Sequence, residues 1–150
     1  MCWLVIGIGN TLRRDDGLGP WIAERIGLMA IPGVSIRSVH QLTPELAAEI
    51  GEHDRVLFVD ACEAGDENSI LEIFPSAAPN RLGHVLSPEH LLAISERLGV
   101  RRPRAWMATA AGSDFDFGEG LSASARQHSE ALIPKIRSWL SEPSECTKSA

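Results

Sequence analysis

The chain has 150 residues, 44% of them hydrophobic and only 5% aromatic, a size and composition that suit one domain with an aliphatic core and exclude a multi-domain reading. Its formal charge of -6 includes no basic block longer than Arg101-Arg102-Pro103-Arg104, which argues against nucleic acid as the main partner. No run approaches the roughly 20 apolar residues of a membrane span, and the apolar run at 2–8 is too short for a signal segment, so no membrane association and a cytoplasmic location are expected.

In chain order, strand-like runs stand at 2–7 "CWLVIG", 34–39 "VSIRSV", 55–60 "RVLFVD", 69–74 "SILEIF" and 104–110 "RAWMATA". Helical spacing appears between them: Leu18, Ile22, Ile26 and Met29; Leu91, Ser95 and Leu98; and Leu121, Ala125, His128, Leu132, Ile136 and Leu140. Thr43-Pro44 and Ser87-Pro88 each pair a capping hydroxyl with a proline suited to the first helical position. Pro134 is expected to kink or divide the last helix. The segment 1–140 reads as one α/β domain, and 141–150, "SECTKSA" at its end, as a flexible tail with too few apolar residues to offset ordering entropy.

Alternation of strand and helix gives right-handed crossovers and a parallel sheet, most simply with strands 2-1-3 adjacent. Only residues 61–68 separate the third and fourth strands, too few for a crossover helix, so strand 4 is expected to run antiparallel. The expected fold is a three-layer α/β sandwich: a five-stranded, mostly parallel twisted sheet in the order 2-1-3-5-4, with helices on both faces.

Ligands collect beyond the carboxyl ends of such strands, where the strand order reverses. That point lies between strands 1 and 3. Strand 1 opens into "GIGNTLRRDDGLGP", residues 7–20, and strand 3 ends at Asp60, so Asp15 or Asp16 can face Asp60 across the crevice. His84, three residues before the Ser87 cap, belongs to the same rim, as does "GSDFDFGEG" at 112–120. The glycine loop is not a dinucleotide site: position 12 is Leu12 rather than the third glycine, and no acid ends strand 2. Nor is it a P-loop, because Pro20 follows Gly19.

Asp16 is either an N-cap of the following helix or a site carboxylate, and Asp15 reads as a plain surface acid. Asp60 ends a buried strand, where an unpaired carboxylate is costly unless metal, hydrogen bonds or water receive it. Two carboxylates and one imidazole form a three-ligand set that leaves positions open for substrate or water and suits zinc, nickel or a similar divalent ion. The other histidines, His40, His53, His90 and His128, have weaker claims. Cys2, Cys62 and Cys146 are odd in number and far apart, suggesting neither disulfides nor a thiolate zinc site.

On "GIGNTLRRDDGLGP", "FVDACEAG" around Asp60, "GHVLSPEHLLAISERLG" around His84 and "GSDFDFGEGLS", in that order over residues 3–140, the chain resembles the hydrogenase maturation proteases. The resemblance implies an endopeptidase that removes the C-terminal extension of a nickel-loaded [NiFe] hydrogenase large-subunit precursor, with Asp16, Asp60 and His84 as the metal-binding trio. The nickel would arrive with the precursor, and another divalent ion such as zinc could take its place. Water would attack the scissile carbonyl, with Asp16 or Asp60 taking its proton. The label of an aspartyl protease rests on the two acids, which either share a metal, both ionised, or share a proton, one with a raised pKa, and the sequence does not choose between these. Asn10 and Asp114 are expected at the substrate-binding rim, and the protein is expected to act as a monomer. Two rival readings keep the same residues: a nickel-checking chaperone that binds the precursor without cutting it, and a general zinc metallopeptidase or amidase.

Overall fold

The computed structural model describes residues 2–63, 68–77, 85–99 and 102–142. Five strands form one sheet: β1 (Trp3–Ile8), β2 (Val34–Val39), β3 (Arg55–Cys62), β4 (Ser69–Ile73) and β5 (Arg104–Ala111). Their order is β2-β1-β3-β5-β4. The β1 pairings to β2 and β3 and the β3 pairing to β5 are parallel, whereas β4 lies antiparallel to β5. The expected order, including the reversal of strand 4, is the order observed.

Among the described residues four helices cover the sheet: α1 (Leu18–Leu28), α2 (Leu46–Ile50), α3 (Pro88–Arg97) and α4 (Ala123–Ser141). Side chains alternate across a strand, and the two cores follow that alternation. Leu57 and Val59 of β3 join Leu18, Ile22, Ile26, Leu132 and Ile136 on the α1/α4 side. Val56 and Phe58 join Leu46, Ile50, Leu91 and Leu92 on the α2/α3 side. The fully buried β1 and the interior of β3 are apolar on both faces because helices cover both, which is the signature of a parallel sheet centre.

At the amino ends of the strands, Trp3, Trp106 and Trp139 pack with ring centroids 4.6 to 5.4 Å apart. This aromatic plug closes the edge of the sheet opposite the carboxyl ends, where the polar loops gather.

Helix boundaries show which capping signals acted. Ser87 caps α3, its hydroxyl accepting from the His90 amide, with Pro88 in the first turn. Thr43 does not cap: α2 begins only at Leu46 and has no side-chain cap, while the Thr43 hydroxyl instead serves the Glu45 carboxylate. α4 runs unbroken through Pro134, so of the two expected outcomes, a kink or a division, the division does not occur. Burial of Leu132, Ile133, Ile136 and Leu140 on both sides of the proline holds the helix together. From residue 143 the expected tail lies outside the described residues, as does His84.

Candidate active site

α1 approaches β1 and β3 so closely that only glycine fits at the contact. A Cβ on Gly19 would collide with the carbonyl oxygens of Ile8 and Val59, and one on Gly9, whose φ is +150°, with the carbonyl of Asp16. The close helix packing that the third glycine of a nucleotide loop provides is supplied here from position 19, within the helix itself. The loop between β1 and α1 is thereby pressed against the ends of the central strands.

Within that loop the backbone is closely tied. Gly9 donates its amide to the Val39 carbonyl at 3.0 Å, and the Asn10 side-chain oxygen accepts from the Leu12 amide at 3.0 Å. The Asn10 amide donates to Asp16 Oδ2 at 2.7 Å, fixing the carboxylate that the sequence singled out. Asp16 lies in a short 3-10 turn, Arg14–Gly17, and α1 has no side-chain cap, so the capping role open to Asp16 in the sequence is not used.

Asp15 corrects a sequence-based expectation. It is fully buried, not a surface acid. Its carboxylate accepts from the amides of Ser113, Asp114 and Ser122 at 2.7 to 2.9 Å, from the Ser122 hydroxyl at 2.7 Å and from the Ser113 hydroxyl at 3.4 Å. Burial pushes its pKa up, but the donors of Ser113, Ser122 and Asp114 together outweigh it and hold the group below the ordinary carboxylate value. Asp15 therefore ties the loop after β1 to the loop after β5 and, through Ser122, to the N-cap of α4.

The same two loops meet again at the surface. The amides of Arg14 and Gly118 donate to the carbonyls of Gly118 and Leu12 at 3.0 and 2.8 Å. Arg14, at a φ of +43°, pairs with Asp114 at 2.7 Å. Asp114, expected at the substrate rim, gives one oxygen to this pair and accepts from the Asp116 amide at 3.1 Å with the other.

Asp60 points to the α2/α3 side of the sheet, like Val56 and Phe58, and Thr109 of β5 is its register partner. One oxygen accepts from the Ala61 amide at 2.8 Å. Burial raises its pKa, the Ala61 hydrogen bond opposes this, and the charge of Asp16 adds to the rise, leaving Asp60 at about 7. Asp16 and Asp60 line one cleft of about 360 Å3, together with His40 from the end of β2 and Val85 and Ser87 from the start of α3.

The tertiary structure thus brings Asp16 and Asp60 together as expected, places Asn10 behind Asp16, and adds His40. Sequence reasoning gave His40 little weight. The signal was present, since His40 directly follows a strand expected beside β1 and so had to emerge at the same carboxyl edge. Among the described residues no three of His, Cys, Asp or Glu stand close enough to hold a metal ion. A larger hollow, about 660 Å3, lies beside α4 and is lined by Glu63, Ser124 and His128; it contains neither paired carboxylate. Among the described residues no helix is long and apolar enough to cross a membrane.

No protein-family model and no curated protein sequence matches the chain. Solved structures do. A [NiFe] hydrogenase maturation protease, HycI, from Thermococcus kodakarensis superposes with a TM-score of 0.74 at 24% identity, covering 94% of this chain and 93% of that one. The hydrogenase maturating endopeptidase HybD from Escherichia coli gives 0.73 at 20% identity, with 93% and 92% covered. A hydrogenase 2 maturation peptidase from a Thaumarchaeota archaeon gives 0.69 at 19% identity, with 94% and 99% covered. Likeness at this level of identity is likeness of architecture: over nearly its whole length the chain has the fold of the hydrogenase maturation proteases.

Proposed function

We propose that the protein is an endopeptidase that removes the C-terminal extension of a nickel-loaded [NiFe] hydrogenase large-subunit precursor. The observation that carries this reading is the meeting of Asp16 and Asp60 in one cleft, with Asp60 raised to about 7. The names of the similar structures support the same class of reaction.

Asp60 is the general base in this reading. Without substrate Asp60, at about 7, is only partly ionised near neutrality; the positive charge of the ion carried by the precursor favours the ionised form, which can then take a proton from an attacking water. Asp16, held by the Asn10 amide, faces the same space and binds on the side of the β1 loop. His84 precedes Val85, which lines the cleft, and is the proposed third contact to the ion. Nickel enters as part of the substrate; its positive charge favours both carboxylates in their ionised form and polarises the groups bound to it. Cleavage is thereby restricted to precursors that carry the ion.

The test is mass spectrometry of a nickel-loaded precursor after incubation with this protein. Expected is a precursor shortened at its C-terminus by the wild-type chain and left whole by Asp16→Asn and by Asp60→Asn. A nickel-loaded, folded precursor that keeps its full mass with the wild-type chain overturns the protease reading. Binding without cleavage in that experiment would establish the chaperone reading instead.

A further inference from the structure

We infer that His40 is a third catalytic residue of this cleft, the donor of a proton to the leaving amine of the scissile peptide bond. The inference rests on the protease reading above and deepens it, since peptide hydrolysis needs a base for the water and also an acid for the nitrogen that departs.

The topology supplies the placement. β2, β1 and β3 are neighbours, in that order, and each ends at the same edge of the sheet. His40 follows the last residue of β2, Asp16 lies in the loop after β1, and Asp60 lies near the end of β3. All three line the one cleft. Adjacent strands are about 4.8 Å apart, so the ends of β2 and β3 are separated by roughly 10 Å. An extended peptide lying across the strand ends would pass His40, Asp16 and Asp60 in turn, with all three side chains on the cleft that holds it. The end of β2 is pinned to the site by the hydrogen bond from the Gly9 amide to the Val39 carbonyl, so His40 is anchored to the same loop that carries Asp16.

Chemistry selects the role. Among the described residues, the other polar side chains of the cleft are the two acids, Gln41 and Ser87, and the Ser87 hydroxyl is occupied as the cap of α3. His40 is exposed, and it is the one described side chain of the cleft whose ring N–H can hand a proton to an amine while the two carboxylates serve the water and the ion. In the step itself the water oxygen bonds to the carbonyl carbon and its proton passes to Asp60. The C–N bond then breaks, its electron pair stays on nitrogen, and the His40 proton goes to that nitrogen. Afterwards Asp60 gives its proton to solvent and His40 takes one back, so the site returns to its starting state.

The experiment is steady-state cleavage of the nickel-loaded precursor by wild-type, His40→Ala and His40→Gln proteins, with and without added free imidazole. Because His40 is exposed, both variants are expected to melt with the wild-type protein. Expected is a fall in kcat of about 100-fold, a KM changed by less than about threefold, and partial recovery of His40→Ala, but not of His40→Gln, by imidazole. Wild-type kcat in both variants would overturn the proposal and show that Asp60 returns the proton by itself. A raised KM with unchanged kcat would also overturn it, leaving His40 as a binding contact. A wild-type chain that does not cut the precursor at all overturns the protease reading, and this proposal with it.

Discussion

Asp15 and Asp16 are adjacent in sequence and serve opposite directions. Asp15 turns away from solvent and gathers donors from residues 113, 114 and 122, whereas Asp16 turns to the cleft and accepts from Asn10 within its own loop. One acid builds the rim on which the other works.

Asp15→Asn should therefore act mainly on stability. The substitution removes the charge from five hydrogen bonds and places an amide NH2 among donors, so a loss of about 3 kcal/mol or more is expected at neutral pH. The wild-type advantage has a definite pH dependence. The folded-state pKa of Asp15 is depressed, so its contribution is present above the ordinary value of 3.8 and is lost as pH falls through the lower folded value. Thermal melts of both proteins should differ by roughly 10 °C near neutrality and converge in acid.

Asp60→Asn should have the opposite effect on the fold. The folded-state value of about 7 lies above the ordinary 3.8, so between those two values the folded chain binds more protons than the unfolded chain, and stability falls as pH rises. Removing the acid should raise stability on the order of 2 kcal/mol near pH ~8 and leave it almost unchanged near pH ~4. Denaturant titrations at the two pH values check this, and a substitution that destabilises at the higher pH would show that Asp60 is not under electrostatic strain. Gain of stability with loss of processing would mark the carboxylate as retained for chemistry.

Gly19→Ala should destabilise by about 2 kcal/mol or more, because the added methyl meets backbone carbonyls that cannot step aside. Equilibrium unfolding measures the loss. A neutral result would mean that α1 can slide along β1 and would loosen the account of how Asp16 is positioned.

Arg14→Gly should change stability by no more than about 1 kcal/mol. Its ion pair with Asp114 is exposed, and glycine relieves the positive φ that arginine holds there. Comparison of its melt with that of Asp15→Asn separates the two links between the loops. The buried carboxylate, and not the surface pair, is expected to carry their attachment.

The sequence was sufficient for the sheet order, for the reversal of β4 and for bringing Asp15 or Asp16 to the edge where β3 presents Asp60. Local rules carry that information: apolar runs mark buried strands, the short link at 61–68 forbids a crossover helix, and residues that follow parallel strands emerge at one edge. Ser87 was legible as a cap for the same reason, because capping is settled within one turn.

What the sequence did not decide depends on contacts between distant segments. Whether Asp15 faces water or the interior is set by residues about a hundred positions away that bring five donors to it, and no local pattern encodes their approach. Thr43 resembled Ser87 in sequence, yet its hydroxyl found Glu45 and the helix began later. The perturbed acidity of Asp60 arose only when burial and the charge of Asp16 met at the end of β3, and His40 became a cleft residue only when β2 was laid beside β1. Periodicity fixes which residues face a core; folding alone sets the distances on which charge, acidity and catalysis depend.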